Sequence, residues 1–88
     1  MSAELLEGIV EYYADEEILK ADGFDDAVIG VDEKTMRLIY SVGRCIEILV
    51  EDGMTMEDAI EYFDFNVSGA WVGDKTPIWS QDMLYYVR

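Results

Sequence analysis

The hydrophobic period of this chain changes at Ser41. Before it, "MRLIYS" at 36–41 alternates as a strand does. After it, Val42, Cys45, Ile46, Leu49 and Val50 fall on one helical stripe, with Arg44, Glu47 and Glu51 on the other side. Sheet and helix are therefore consecutive and must share one core, which points to an α+β fold. Upstream, "AVIGVD" offers β-branched residues bounded by aspartates, so Ala27 to Val31 reads as a strand and "DEKT" as a polar turn. Residues 27–41 are expected to form an antiparallel hairpin with a four-residue loop.

The punctuation around the hairpin places the helices. Leu5, Ile9 and Tyr13, with Leu6 and Val10 beside them and Ser2 as a cap, predict an amphipathic helix over about 3–14, followed by a short turn through Ile18 and Leu19. The helix after Ser41, over about 42–52, ends at Gly53, a residue suited to the left-handed C-terminal position. Thr55 then caps a helix over about 56–67, with Glu57 and Asp58 in its first turn, where carboxylates complement the helix dipole. Its spacing assigns Tyr62, Phe63 and Val67 to the core and gives Asn66 the backbone groups at the helix end. From Ser68 onward glycine and proline break the period, and "PIW" with "MLYYV" offers one more short strand. The expected fold is a single α+β domain over 1–88, a two- or three-stranded antiparallel sheet packed with three helices.

Composition excludes several chemistries. With no histidine and one cysteine, the usual zinc sites, a Ser-His-Asp triad and a Cys-His pair cannot be built within one chain. Neither catalytic nor metal-ligating residues are assigned, no cofactor is expected, and Cys45 reads as a small core residue. Twenty carboxylates face six basic groups, for a net charge of −14, which argues against direct contact with DNA or RNA. At 51% hydrophobic residues the chain is still too apolar to be an acidic disordered segment. The longest apolar run, near Ile46 to Val50, falls well short of the roughly 18 residues of a membrane span. The N-terminal segment lacks a basic, apolar leader, so a soluble cytoplasmic protein without a membrane partner is expected.

The charge is unevenly spread. Residues 1–33 hold eleven acids and one base, Lys20, and residues 45–64 hold seven acids and no base. Such a field can imitate the phosphate rail of nucleic acid and attract a basic protein surface, with Asp15, Glu16, Glu17, Asp25 and Asp26 as candidate contacts. The plain alternative is a solvated face that keeps the protein soluble. Two acidic groups, Asp22 with Asp25 and Asp26, and Glu57 with Asp58 and Glu61, suit a divalent metal in ligand type. However, "DGFDDAVIGVDE" is out of register for a calcium-binding loop. "GAWVGDKT" approaches a phosphate-binding loop but has three residues between its glycines and Asp74 ahead of Lys75. A metal- or nucleotide-binding protein is thus one alternative. The aromatic segment offers another: Trp71, Trp79, Tyr85 and Tyr86 either fill the core or form an anchor cluster, as in a homodimer or structural module. Asn66, Trp71, Asp74, Lys75 and Trp79 complete the candidate binding residues.

"FDDAVIGVD", followed by "YSVGRCIEILVEDGMTMEDAIEYFDFNVSGAWVGDKTPIW", resembles a family of small, mostly uncharacterised proteins encoded by tailed bacteriophages and prophages. The family pattern runs from "DDA-IG" through a "KCIE-L" helix to "GMT-EEA-E-F-FNV-GA-VGE-TP". It matches here over Asp25 to Gly30, Cys45 to Leu49 and Gly53 to Pro77, with Arg44 in place of lysine and Asp74 in place of glutamate. The resemblance implies a viral origin and the cytoplasm of an infected host. It further implies a non-enzymatic accessory protein that binds a host or defence protein, and it assigns no catalytic role to any matched residue.

Overall fold

Strands β1 (Val28–Asp32) and β2 (Arg37–Ser41) pair antiparallel, with Val28 opposite Tyr40, Val31 opposite Leu38 and Asp32 opposite Arg37. The computed structural model of the chain describes residues 4–70 and 72–81. The expected hairpin is present, its loop displaced by one residue to 33–36 because Asp32 is both strand end and turn holder. Its carboxylate accepts from the Lys34 N–H at 3.0 Å and the Thr35 hydroxyl at 3.1 Å, and its carbonyl accepts from the Met36 N–H at 2.7 Å. Ala27, expected in the strand, instead ends a 3-10 turn, Asp25–Ala27, and a bulge between Val28 and Gly30 resets the register beyond it. Val28, Leu38 and Tyr40 all reach the core.

Helix α1 (Glu4–Tyr12) buries Leu6 and Ile9, with Tyr13 packed just past its end. This corrects the expected face: Leu5 and Val10 are exposed, because the i, i+3, i+7 row of 6, 9 and 13 meets the core instead. The second short turn through Ile18 and Leu19 is not helical, although Ile18 packs on the core.

β2 runs into α2 (Val42–Glu51) without a connecting residue, and the buried Ser41 serves both: it closes the strand, and its Oγ accepts from the Arg44 N–H at 3.1 Å as the N-cap. At the other end, Gly53 adopts φ 115°, the Gly53 N–H donates to the Val50 carbonyl and the Met54 N–H to the Leu49 carbonyl. That pair of bonds is a Schellman closure, with Met54 folded back toward the core. Thr55 caps α3 (Met56–Tyr62) by accepting from the Asp58 N–H at 3.1 Å. The helix then widens into a π turn, Phe63–Val67, closed by the Ser68 N–H donating to the Phe63 carbonyl at 2.9 Å.

The chain returns as β3 (Ile78–Ser80), which pairs parallel to β2, giving a three-stranded mixed sheet in the order β1-β2-β3. The α+β domain stands, but its sheet is not wholly antiparallel as expected. Two helices lie between β2 and β3, and such a crossover returns the chain in the parallel sense. The cap assigned to Ser2, the strand at "MLYYV" and the residues Trp71, Tyr85 and Tyr86 lie outside the described residues.

Two contacts tie the irregular segment between α1 and β1 to the hairpin. The Tyr40 hydroxyl accepts from the Ala21 N–H at 2.8 Å, and the Tyr13 hydroxyl donates to the Glu33 carboxylate. Burial raises the Tyr40 pKa above its ordinary value, the Ala21 bond opposing it in part. The bond to Glu33 pushes Tyr13 up to about 12. Both folded values exceed the unfolded one near 10, so this stabilisation is full below about pH 10 and lost as pH rises through the folded values. Melting temperature measured from pH 8 to 12 should fall above about pH 10, and Tyr13→Phe should flatten that fall. Ser41→Ala should cost about 1–2 kcal/mol in urea denaturation, because one change removes the α2 cap at the strand junction.

Candidate functional site

The widened end of α3 shapes an apolar cleft of about 270 Å³. One wall comes from Leu19, Ala21 and Phe24, a second from Tyr62, Asn66 and Val67 at the π turn, and a third from Ala70, Val72, Pro77 and Trp79. Its floor is fixed by aromatic packing. Trp79 lies 5.1 Å from Tyr40 and meets Phe63 edge-on at 5.3 Å, and Phe63 meets Phe24 edge-on at 6.4 Å. Among the described residues the buried Trp79 indole Nε1 has no hydrogen-bond partner, a lapse that costs on the order of 1–3 kcal/mol. Lys20 and Asp22 supply the charges of the lining.

The π turn accounts for which side chains face outward. Phe63 is buried, but Phe65 is 79% exposed and Tyr62 is 42% exposed, which corrects the assignment of Tyr62 to the core. A period of 3.6 carried past Tyr62 does not hold once the backbone bonds span five residues. Asn66 is exposed and its side chain makes no hydrogen bond among the described residues, so it does not close the helix as expected; Ser68 does, through its N–H and through its hydroxyl, which donates to the Asp64 carbonyl at 3.4 Å.

The loop after the cleft is built around Thr76. Its buried hydroxyl donates to the Gly73 carbonyl at 2.7 Å and accepts from the Val72 N–H at 2.9 Å, and its N–H donates to Gly73 as well. Gly73 takes φ 112°, which a side chain would resist. The Ala70 N–H is also spent, on the Val67 carbonyl. Three of the amides that a phosphate would need in this loop, those of Ala70, Val72 and Thr76, are thus already bonded within the protein. Lys75 is a structural tie: its Nζ donates to the Thr35 carbonyl at 2.8 Å, pinning the loop to the hairpin turn. Asp74 is exposed beside it.

The remaining candidates spread over the surface. Asp15, Glu16 and Glu17 are exposed just past α1, where the Glu16 N–H donates to the Tyr13 carbonyl. Asp25 and Asp26, half-buried in the 3-10 turn, share a polar concavity with Arg44, Glu51 and Asp52. Burial works against the Arg44 charge, but Glu51 at 3.4 Å and Glu47 at 3.3 Å outweigh it and raise its pKa. The structure therefore brings Asn66 and Trp79 into one cleft, leaves Asp15–Glu17 and Asp25–Asp26 apart from it, and gives Lys75 to the scaffold. Sequence reasoning missed the lining from Leu19, Phe24, Val67 and Val72; the available signal was a second phenylalanine, Phe65, two residues after Phe63, which a single buried helix face does not hold with it.

Among the described residues no group of three or more His, Cys, Asp or Glu is arranged to hold a metal ion, and no helix is long and apolar enough to cross a membrane. No family model, curated protein or solved structure matches the chain. The cleft itself offers apolar contact ringed by an amide, a carboxylate and an ammonium group, which suits binding by shape with polar orientation at the rim. Thr76→Val, which keeps the shape and removes the hydroxyl, should cost about 1–3 kcal/mol and speed hydrogen exchange at the Val72 amide.

Proposed function

We propose that this protein is a non-enzymatic binding module that engages a basic protein surface through its carboxylates. The observation that carries this reading is the stripe along α3 and the π turn. Glu57, Asp58, Glu61 and Asp64 are all exposed there, opposite the buried Ala59 and Phe63. At 1.5 Å rise per residue this is about one charge per 3 Å, close to the roughly 3.4 Å spacing of charges along one DNA strand. Glu57 and Asp58 also serve the helix dipole, but Glu61 and Asp64 lie beyond the first turn and have no such use.

Solubility alone does not account for the charge. A small domain stays soluble at a net charge of about 2–8, and −14 adds self-repulsion that opposes folding. The resemblance of 25–77 to small phage proteins supports a host or defence protein as the partner, met in the host cytoplasm. A basic groove that ordinarily holds nucleic acid is the surface whose charge complements the stripe.

The test is capture from a bacterial lysate on immobilised protein, followed by titration of the retained partner. Affinity should fall steeply between about 50 and 500 mM salt. Glu61→Gln with Asp64→Asn, and separately neutralisation of Asp15, Glu16 and Glu17, should slow association. The free protein should become more stable over the same range, because screening relieves its self-repulsion, so weaker binding is not unfolding. Affinity that is flat with salt sinks the reading.

A further inference from the structure

We propose that the cleft beside the π turn receives one large apolar side chain from a basic peptide segment of the partner, whose neighbouring lysines or arginines lie against the α3 carboxylates. This rests on the acidic-surface reading and adds where the partner docks and what its segment must carry.

Size is the first argument. At about 270 Å³ the cleft lies at the small end of ligand-sized sites and has room for a single leucine or aromatic side chain. Continuity is the second. Tyr62 and Asn66 line this cleft and also a shallower concavity formed with Met54, Asp58, Glu61 and Phe65. A peptide crossing that ridge sets one side chain in the cleft and the next against Asp58 and Glu61. The exposed Asn66 side-chain amide, which has no hydrogen bond among the described residues, stands where it can pair with the peptide main chain. Asp22 gives the opposite rim a second carboxylate, and Lys20 is the cation of the lining.

Charge decides between occupants. A second copy of this chain would bring −14 against −14 at a carboxylate-lined surface, which like-charge repulsion disfavours. A nucleotide phosphate would meet the same repulsion and a loop whose Ala70, Val72 and Thr76 amides are already bonded. A cationic segment with an apolar anchor is attracted by both features: the anchor supplies desolvated contact and the cations meet the field.

The chain has two tryptophans, so Trp71→Phe leaves Trp79 as the only one to report on the cleft. Short lysine- and arginine-rich peptides with phenylalanine or alanine at the centre are titrated into the unaltered protein by calorimetry, and into that variant by Trp79 emission as the local report. The phenylalanine peptide should shift the emission and bind about tenfold tighter or more, as expected for burying one such side chain. Ala70→Phe, which fills the cleft from its exposed rim, should erase that difference and keep the salt-dependent binding of the alanine peptide. If that variant fails to fold, the peptide pair still decides on the open cleft. Equal, salt-sensitive binding of both peptides overturns the cleft inference and leaves the acidic-surface reading standing; binding of neither at low salt overturns both. Equal binding of an uncharged peptide with the same phenylalanine overturns the basic segment. Trp79 emission that shifts with protein concentration alone, together with a dimer in light scattering, makes a second copy the occupant and overturns the proposal.

Discussion

Ser41 is the point through which the fold is joined. It is the last residue of β2, the N-cap of α2 and the β2 partner of Ser80 in β3, and it is fully buried. A strand that becomes a helix within one residue leaves no slack in their relative direction, so the hairpin and α2 are positioned as a unit. The Schellman closure at Gly53 and the Thr55 cap follow within four residues of the end of α2, and they set the direction of α3 just as tightly. Local hydrogen bonds at three chain reversals therefore determine where the π turn and its cleft fall.

The aromatic row of Phe24, Phe63, Trp79 and Tyr40 links that frame to the surface. Each ring comes from a different segment: the stretch before β1, the π turn, β3 and β2. Packing Phe63 between Phe24 and Trp79 holds the end of α3 against the sheet, even though β3 is only three residues long. Trp79 belongs to the core through its ring contacts with Tyr40 and Phe63 and to the cleft through its lining, so the floor of the cleft is continuous with the core beneath it. The choice between core and surface for this residue was a false one.

The features legible in the sequence were those set by neighbours in the chain. The hairpin, the Gly53 stop and the Thr55 cap each depend on a few adjacent residues whose chemistry names the conformation, and each appears close to its expected place. The direction of β3 was not legible, since parallel pairing depends on how α2 and α3 carry the chain back. The π turn was not legible because no residue of "FDFNV" announces an extra residue in the turn, and Tyr62, at the edge of the face that buries Ala59 and Phe63, stays half outside the core. Lys75 shows the limit most clearly. In a segment that only approaches a phosphate-binding loop it was a candidate binding residue, but its partner is the Thr35 carbonyl, forty residues away, a contact no local pattern encodes. On α1, apolar residues on two sides of the helix left the buried row undecided until Leu6 and Ile9 met the sheet.

The candidate site joins two forces with different reach. On the proposed reading, the carboxylates, which act over about a Debye length, roughly 8–10 Å, would govern how often a cationic surface arrives and how it is oriented. The cleft, which acts only on contact, would govern how long the encounter lasts, because apolar burial is little weakened by salt. Neither suffices alone: an acidic stripe without an anchor holds any basic protein weakly, and a 270 Å³ pocket without a field captures few partners. Placing both on the last turns of α3, where Asp58 and Glu61 share a concavity with Phe65 and Asn66, lets one helix end select for charge and for shape together. Phe65, two residues after the buried Phe63, would face outward in a regular helix as well; the widened turn adds Asn66, which a regular period places nearer the core side, to that exposed face.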